Sequence, residues 1–135
     1  MNKILVGVVL LIVAFSAGFI PQYTRGKRLE RELSEVRHEN RLAQLRDLAG
    51  LAYLQASQKD YGLASGTSTS FFDRAREVAN QTPDSSGRKP LENLLSLRDQ
   101  ITAELAKGDP GVVSDLQTLL VKTRQATAVS ARLPE

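Results

Sequence analysis

The chain has 135 residues, enough for one ordinary domain and too few for two. It contains no cysteine, one histidine, one methionine and no tryptophan, which excludes disulfides, thiolate metal sites and cysteine nucleophiles. A net charge of +3, from 18 basic and 15 acidic residues, is too balanced to point to nucleic acid, and no nucleic-acid partner is expected.

The mean hydropathy of −0.23 hides a sharp division along the chain. From Ile4 to Ile20 there is no charged residue, and Ser16 is the only polar side chain. A helix rising about 1.5 Å per residue nearly spans the roughly 30 Å hydrocarbon core over such a run. Lys3 is placed to snorkel at one end, and Phe19 and Tyr23 to sit among headgroups at the other. Residues 1–23 therefore read as a single-pass transmembrane anchor that Pro21 ends or kinks. The competing reading is a signal peptide cleaved near Ala17, among the small residues Ala14, Ser16, Ala17 and Gly18, releasing a secreted or periplasmic helical protein. The apolar run exceeds the usual signal-peptide core and contains those small residues, which favours the anchor.

Between Thr24 and Arg46 seven basic residues face four acidic ones, whereas from Asp47 onward ten face eleven. The positive excess thus lies beside the membrane, where basic residues favour the cytoplasmic side and attract anionic lipid. Arg25, Lys27, Arg28 and Arg31 are the candidates for headgroup contact, and the C-terminal domain is expected in the cytoplasm rather than the periplasm.

Residues 24–41 form a basic stalk helix of Leu, Glu and Arg. Leu29, Leu33, Val36 and Asn40 follow the four–three spacing of a coiled-coil seam, with Asn40 at an a position and Glu32 facing Arg37 of a parallel partner. The heptad fails at Asp47 after about two repeats, fewer than the three or four of an unambiguous coiled coil, so a solvated linker helix is the alternative. Ala14 and Gly18 add a small-xxx-small pair in the anchor. Together these six residues predict a weak parallel homodimer.

A small antiparallel helical bundle is expected over 42–127, with a disordered tail at 128–135. Leu42, Leu45, Leu48, Ala49, Ala52, Tyr53 and Ala56 recur at helical steps. Lys59 to Gly62 reads as a turn with Gly62 as the stop, and the polar stretch after it as a loop or a weak helix start. A second helix is predicted from Ser70, capped with Asp73 in support, burying Phe71, Phe72, Ala75, Val78 and Ala79. Thr82 to Gly87 reads as a loop. A third helix is expected from Pro90 through Leu91, Leu94, Leu95, Ile101 and Leu105 to a stop at Gly108. Asp109-Pro110 then opens a fourth, burying Val112, Val113, Leu116, Leu119, Leu120 and Thr123. The expected core is Leu48, Ala52, Phe72, Val78, Leu94, Ile101, Leu105, Leu116 and Leu120. No stretch alternates with period two, so the fold class is all-α without a sheet.

The order Ala49-Gly50, Tyr53, Tyr61-Gly62-Leu63-Ala64, Phe72 and Ala75 resembles the small, aromatic and alanine positions of tetratricopeptide repeats, with a spacing that departs from the repeat of about 34 residues. The resemblance implies helical-hairpin packing and carries over no binding residues. In architecture the chain also resembles small single-pass membrane-anchored helical proteins of bacteria, which implies an inner-membrane location.

Catalytic vocabulary is sparse. His38 falls on an outer f position with no second histidine or cysteine to share a metal. Glu30, Glu32 and Glu35 alternate with basic neighbours on exposed faces, and Ser65, Thr67, Ser68, Thr69 and Ser70 have no nearby base. Gly62 and Gly66 lack the flanking motif of a phosphate loop. The sequence reading is a non-enzymatic, membrane-anchored scaffold or interaction module without cofactors, bound to lipid and to a protein partner that the residues do not name.

Overall fold

The computed structural model describes residues 3–132, with the side chains at 4, 5 and 14–24 outside that description. Five helices run in order: α1 (Lys3–Ser57), α2 (Tyr61–Gln81), α3 (Ser85–Leu95), α4 (Arg98–Lys107) and α5 (Val112–Ser130). No strand occurs among the described residues. Two compact units are distinguished, Met1–His38 and Glu39–Glu135.

In the first unit the backbone is helical throughout its described length. The helix continues through Pro21, where an end or kink was expected, and through Gly26. Among the described residues no helix is long and apolar enough to cross a membrane. Much of the expected anchor, including Ala14, Gly18 and Tyr23, lies outside the described side chains.

In the second unit α1 turns Leu42, Leu45, Ala49, Ala52 and Ala56 inward, at steps of three and four residues that keep one face of a helix continuous. That stripe sits slightly to one side of the expected one: Leu48 and Tyr53 are half-buried at its edge. The helix ends in a Schellman motif, in which Lys59 N–H donates to the Ala56 carbonyl and Asp60 N–H to that of Gln55, both at 2.9 Å. Lys59 holds the left-handed conformation, φ 63°, that this ending requires.

The second helix starts nine residues ahead of the expected Ser70. Asp60 is its N-cap, accepting from Leu63 N–H at 3.2 Å, so Gly62 lies in the first turn and is no stop signal. The polar stretch 63–70 is helical because Ala64 and Ser68 join Phe71, Phe72, Ala75, Val78 and Ala79 on the buried face. Tertiary burial outweighs the weak propensity of its serines and threonines. Phe71 and Phe72 are both buried and meet edge to face, 5.1 Å between centroids.

The expected loop shrinks to 82–84. Asp84 caps α3, accepting from Gly87 N–H at 3.2 Å and from the Ser86 hydroxyl. Pro90 consequently lies inside α3 rather than at its start. The single helix expected from Pro90 to Leu105 is broken at Ser96-Leu97, where Leu97 N–H turns back to the Leu94 carbonyl and the Ser96 hydroxyl donates to the Asn93 carbonyl. Gly108 closes α4 in the left-handed conformation as expected, with Gly108 and Asp109 N–H bonded to the Leu105 and Glu104 carbonyls. Asp109-Pro110 forms a turn ahead of α5 instead of its first residues, and the Asp109 carboxylate accepts from Gly111 N–H at 2.8 Å.

One core joins all these helices. It contains seven of the nine expected residues, while Leu48 and Leu120 pack half-buried at its margin. α2 packs on α3 and α4, and α5 on α3 and α4. The α5 helix runs past Ala128, where the tail was expected, to a buried Ser130 whose hydroxyl donates to the Gly87 carbonyl at 3.1 Å. That bond fixes the end of α5 against the start of α3, so the two run antiparallel.

Candidate functional site

Surface features concentrate on α1 between residues 25 and 40. Leu, Arg and Glu make this stretch helical, and most of its side chains are exposed. Arg25, Lys27, Arg28 and Arg31 are all exposed. Arg28 Nε lies 3.4 Å from Glu32 Oε1, one turn on, with both side chains mainly in solvent, so the pair contributes little to stability. Leu29, Leu33 and Val36 are exposed at 59, 52 and 64 %. Asn40, the first of these residues in the second unit, is exposed as well. Of the expected self-association residues, Ala14 and Gly18 lie outside the described side chains.

Two basic residues counted with the stalk have other work in the second unit. Arg41 Nη1 donates to Gln81 Oε1 at 2.7 Å, tying α1 to the end of α2. Arg46 Nη1 reaches the Thr127 hydroxyl at 3.5 Å, tying it to α5. The sequence carries no signal for either bond, because the partners are 40 and 81 residues away. His38, expected on the outermost face, is half-buried.

The bundle also carries a polar cluster and a groove. Gln100 Nε2 donates to Glu104 Oε1 at 3.1 Å and to Asp115 Oδ2 at 2.7 Å, gathering two carboxylates between α4 and α5. The Gln100 bond favours ionised Glu104, but desolvation, the hydrogen bond and charge of Asp115 and the charge of Asp109 outweigh it and raise the carboxyl above its ordinary range. Between α3 and α5 a groove of about 260 Å³ is lined by Pro90, Asn93, Leu94, Lys122, Gln125, Ala126 and Val129. Its lining holds no carboxylate, histidine or hydroxyl, and so no acid–base pair. Among the described residues no three histidine, aspartate or glutamate side chains are grouped to hold a metal ion.

No family model, curated protein or solved structure matches the chain. The reading of its function therefore rests on its own residues.

Proposed function

We propose that this protein is a non-enzymatic scaffold held in a bacterial inner membrane by the N-terminal part of α1, with its helical bundle on the cytoplasmic side. The observation that carries the reading is the apolar run of α1. Val6, Val8, Val9, Leu10, Leu11, Ile12 and Val13 are 52–72 % exposed, contiguous and uncharged. A contiguous apolar surface of this kind is not left in water and calls for lipid or protein to cover it. The uncharged sequence continues to Ile20, long enough for a span with little mismatch. Arg25, Lys27, Arg28 and Arg31, exposed immediately beyond it, supply the charge that anionic headgroups attract, about 1 kcal/mol per residue near the surface. In this reading the bundle serves as the interaction module; its buried small-residue faces, Ala49, Ala52 and Ala56 with Ala64 and Ala75, are compatible with close helix packing.

Membrane fractionation tests this reading. The full chain is expected to sediment with membranes and to stay there through high-salt and alkaline carbonate washes. Release by either wash, or a mature N-terminus near Ala17 by mass spectrometry with the product in a soluble fraction, overturns it. Protease added to intact spheroplasts is expected to leave the bundle uncut.

A further inference from the structure

We infer that residues 25–37 of α1 are a self-recognition element, and that the partner covering Leu29, Leu33 and Val36 is a second copy of the same helix, parallel and in register. The inference names a partner for the scaffold proposed above and rests on that reading for bringing two copies together in one bilayer.

Two independent features converge on a second copy. The first is the exposed seam: three large apolar side chains at four–three spacing, all more than half exposed. An isolated amphipathic face of this spacing is complementary to itself, since each residue fits between neighbours of an identical parallel helix. The second is the pattern of charge flanking it. With Leu33 at an a position, Arg25 and Glu32 fall at g, and Glu30 and Arg37 at e. In a parallel pair each g residue meets the e residue five positions on in the other chain. Arg25 then meets Glu30 of the second copy, and Glu32 meets Arg37. Two-fold symmetry doubles both attractive pairs. All four side chains are exposed, and the Glu32 carboxylate also faces Arg28 of its own helix at 3.4 Å. The antiparallel arrangement that sets Leu33 against Val36 of the second copy brings Glu32 against Glu39, a repulsive pair that offsets the attractive Glu30–Arg37 pair. Both flanking pairs of the parallel arrangement attract, so charge favours the parallel one. The seam is limited by Asp47, whose charge at a later a position repels its own copy. About two heptads make a weak contact in solution, and confinement in a bilayer raises the effective concentration that it needs.

The chain has no native cysteine, so disulfide crosslinking of single-cysteine variants of the full chain reads this seam directly. Leu33→Cys and Val36→Cys are expected to form dimers in native membranes in much higher yield than Ser34→Cys and Glu35→Cys, which lie on the outer face. In the Val36→Cys background, Glu32→Arg sets like charges against Arg37 of the second copy and is expected to lower the yield by roughly tenfold. Adding Arg37→Glu restores the opposite signs and is expected to restore the yield, which a mere loss of the Arg28–Glu32 pair does not predict. Equal yields at all four positions, no dimer at any, or indifference to both charge changes overturns the inference. A carbonate-wash aliquot of each sample reports separately on the anchor, and the crosslinking pattern is scored in whichever fraction holds the chain.

Discussion

At the scale of single residues, two positions hold the chain in states that its own chemistry disfavours. Ser68 is buried at 2 % exposure on the inner face of α2, and its hydroxyl has no hydrogen-bond partner among the described residues. A buried polar group without a partner costs about 1 kcal/mol or more. Ser68→Ala is therefore expected to raise the thermal midpoint of the bundle, and an unchanged or lower midpoint shows that the hydroxyl has found an acceptor. Lys59 is the second. It occupies φ 63° where α1 ends, and Gly108 occupies the same conformation where α4 ends. A side chain there costs roughly 1–2 kcal/mol, which only glycine avoids. Lys59→Gly is expected to stabilise the bundle and Gly108→Ala to destabilise it by a similar amount, read from denaturant midpoints of the two variants. Both positions are punctuation, yet only the glycine announces itself in the sequence.

Helix boundaries were the least legible elements, for a physical reason that α2 illustrates. Ser65, Thr67, Ser68, Thr69 and Ser70 are weak helix formers, and locally their hydroxyls favour turns and caps. Within the folded chain two of these hydroxyls bond back along the helix, Thr69 to the Ser65 carbonyl and Ser70 to that of Gly66. Burial of Ala64 and Ser68 against the other helices decides the matter. The true cap is Asp60, so Asp60→Ala is expected to cost about 1 kcal/mol, whereas Asp73→Ala on the exposed mid-helix face is expected to cost little. Comparable losses in urea unfolding for the two variants contradict this assignment. The break between α3 and α4 is invisible for the opposite reason. Leu94, Leu97, Ile101 and Leu105 keep helical spacing straight across it, so periodicity reports one helix.

The α4–α5 contact carries a pH dependence. Glu104 has its carboxyl raised in the folded state, so folding binds its proton more tightly than the unfolded chain does. Its contribution favours folding in acid and is lost as pH rises through the folded value. Glu104→Gln keeps an acceptor for Gln100 and removes the charge, so it is expected to raise the thermal midpoint at neutral pH and to have no effect at pH below the ordinary carboxylate range. A gain that is equal at both pH values excludes repulsion from Asp115 and Asp109 as its cause.

At the scale of the molecule, one core makes the bundle a single cooperative body. Leu116 and Phe72 come from different helices and are both almost fully buried. Truncating such a residue costs about 2–5 kcal/mol, a large part of the roughly 5–15 kcal/mol that stabilises a domain. Leu116→Ala and Phe72→Ala are expected to lower the melting transition of the whole bundle as one step, and Leu120→Ala, half-buried, to lower it less. Two separate steps in a calorimetric trace contradict a shared core.

The sequence by itself determined that the chain is helical, that its apolar residues divide into an uncharged N-terminal run and amphipathic stripes, and that Gly108 ends a helix. These are local properties: a period of three to four residues, a run without charge, and a residue free to take positive φ. Tertiary structure alone decided where α2 begins, that Pro90 lies inside a helix, and that Arg41 and Arg46 serve the bundle and not the stalk. It also decided that Ser130 belongs to the fold. Each of those outcomes depends on a partner distant in sequence, Gln81 for Arg41, Thr127 for Arg46 and Gly87 for Ser130. Periodicity along one helix shows which face is apolar, but the neighbour that covers it, and therefore which polar residues and which weak helix formers are drawn in with it, exists only once the chain has closed on itself.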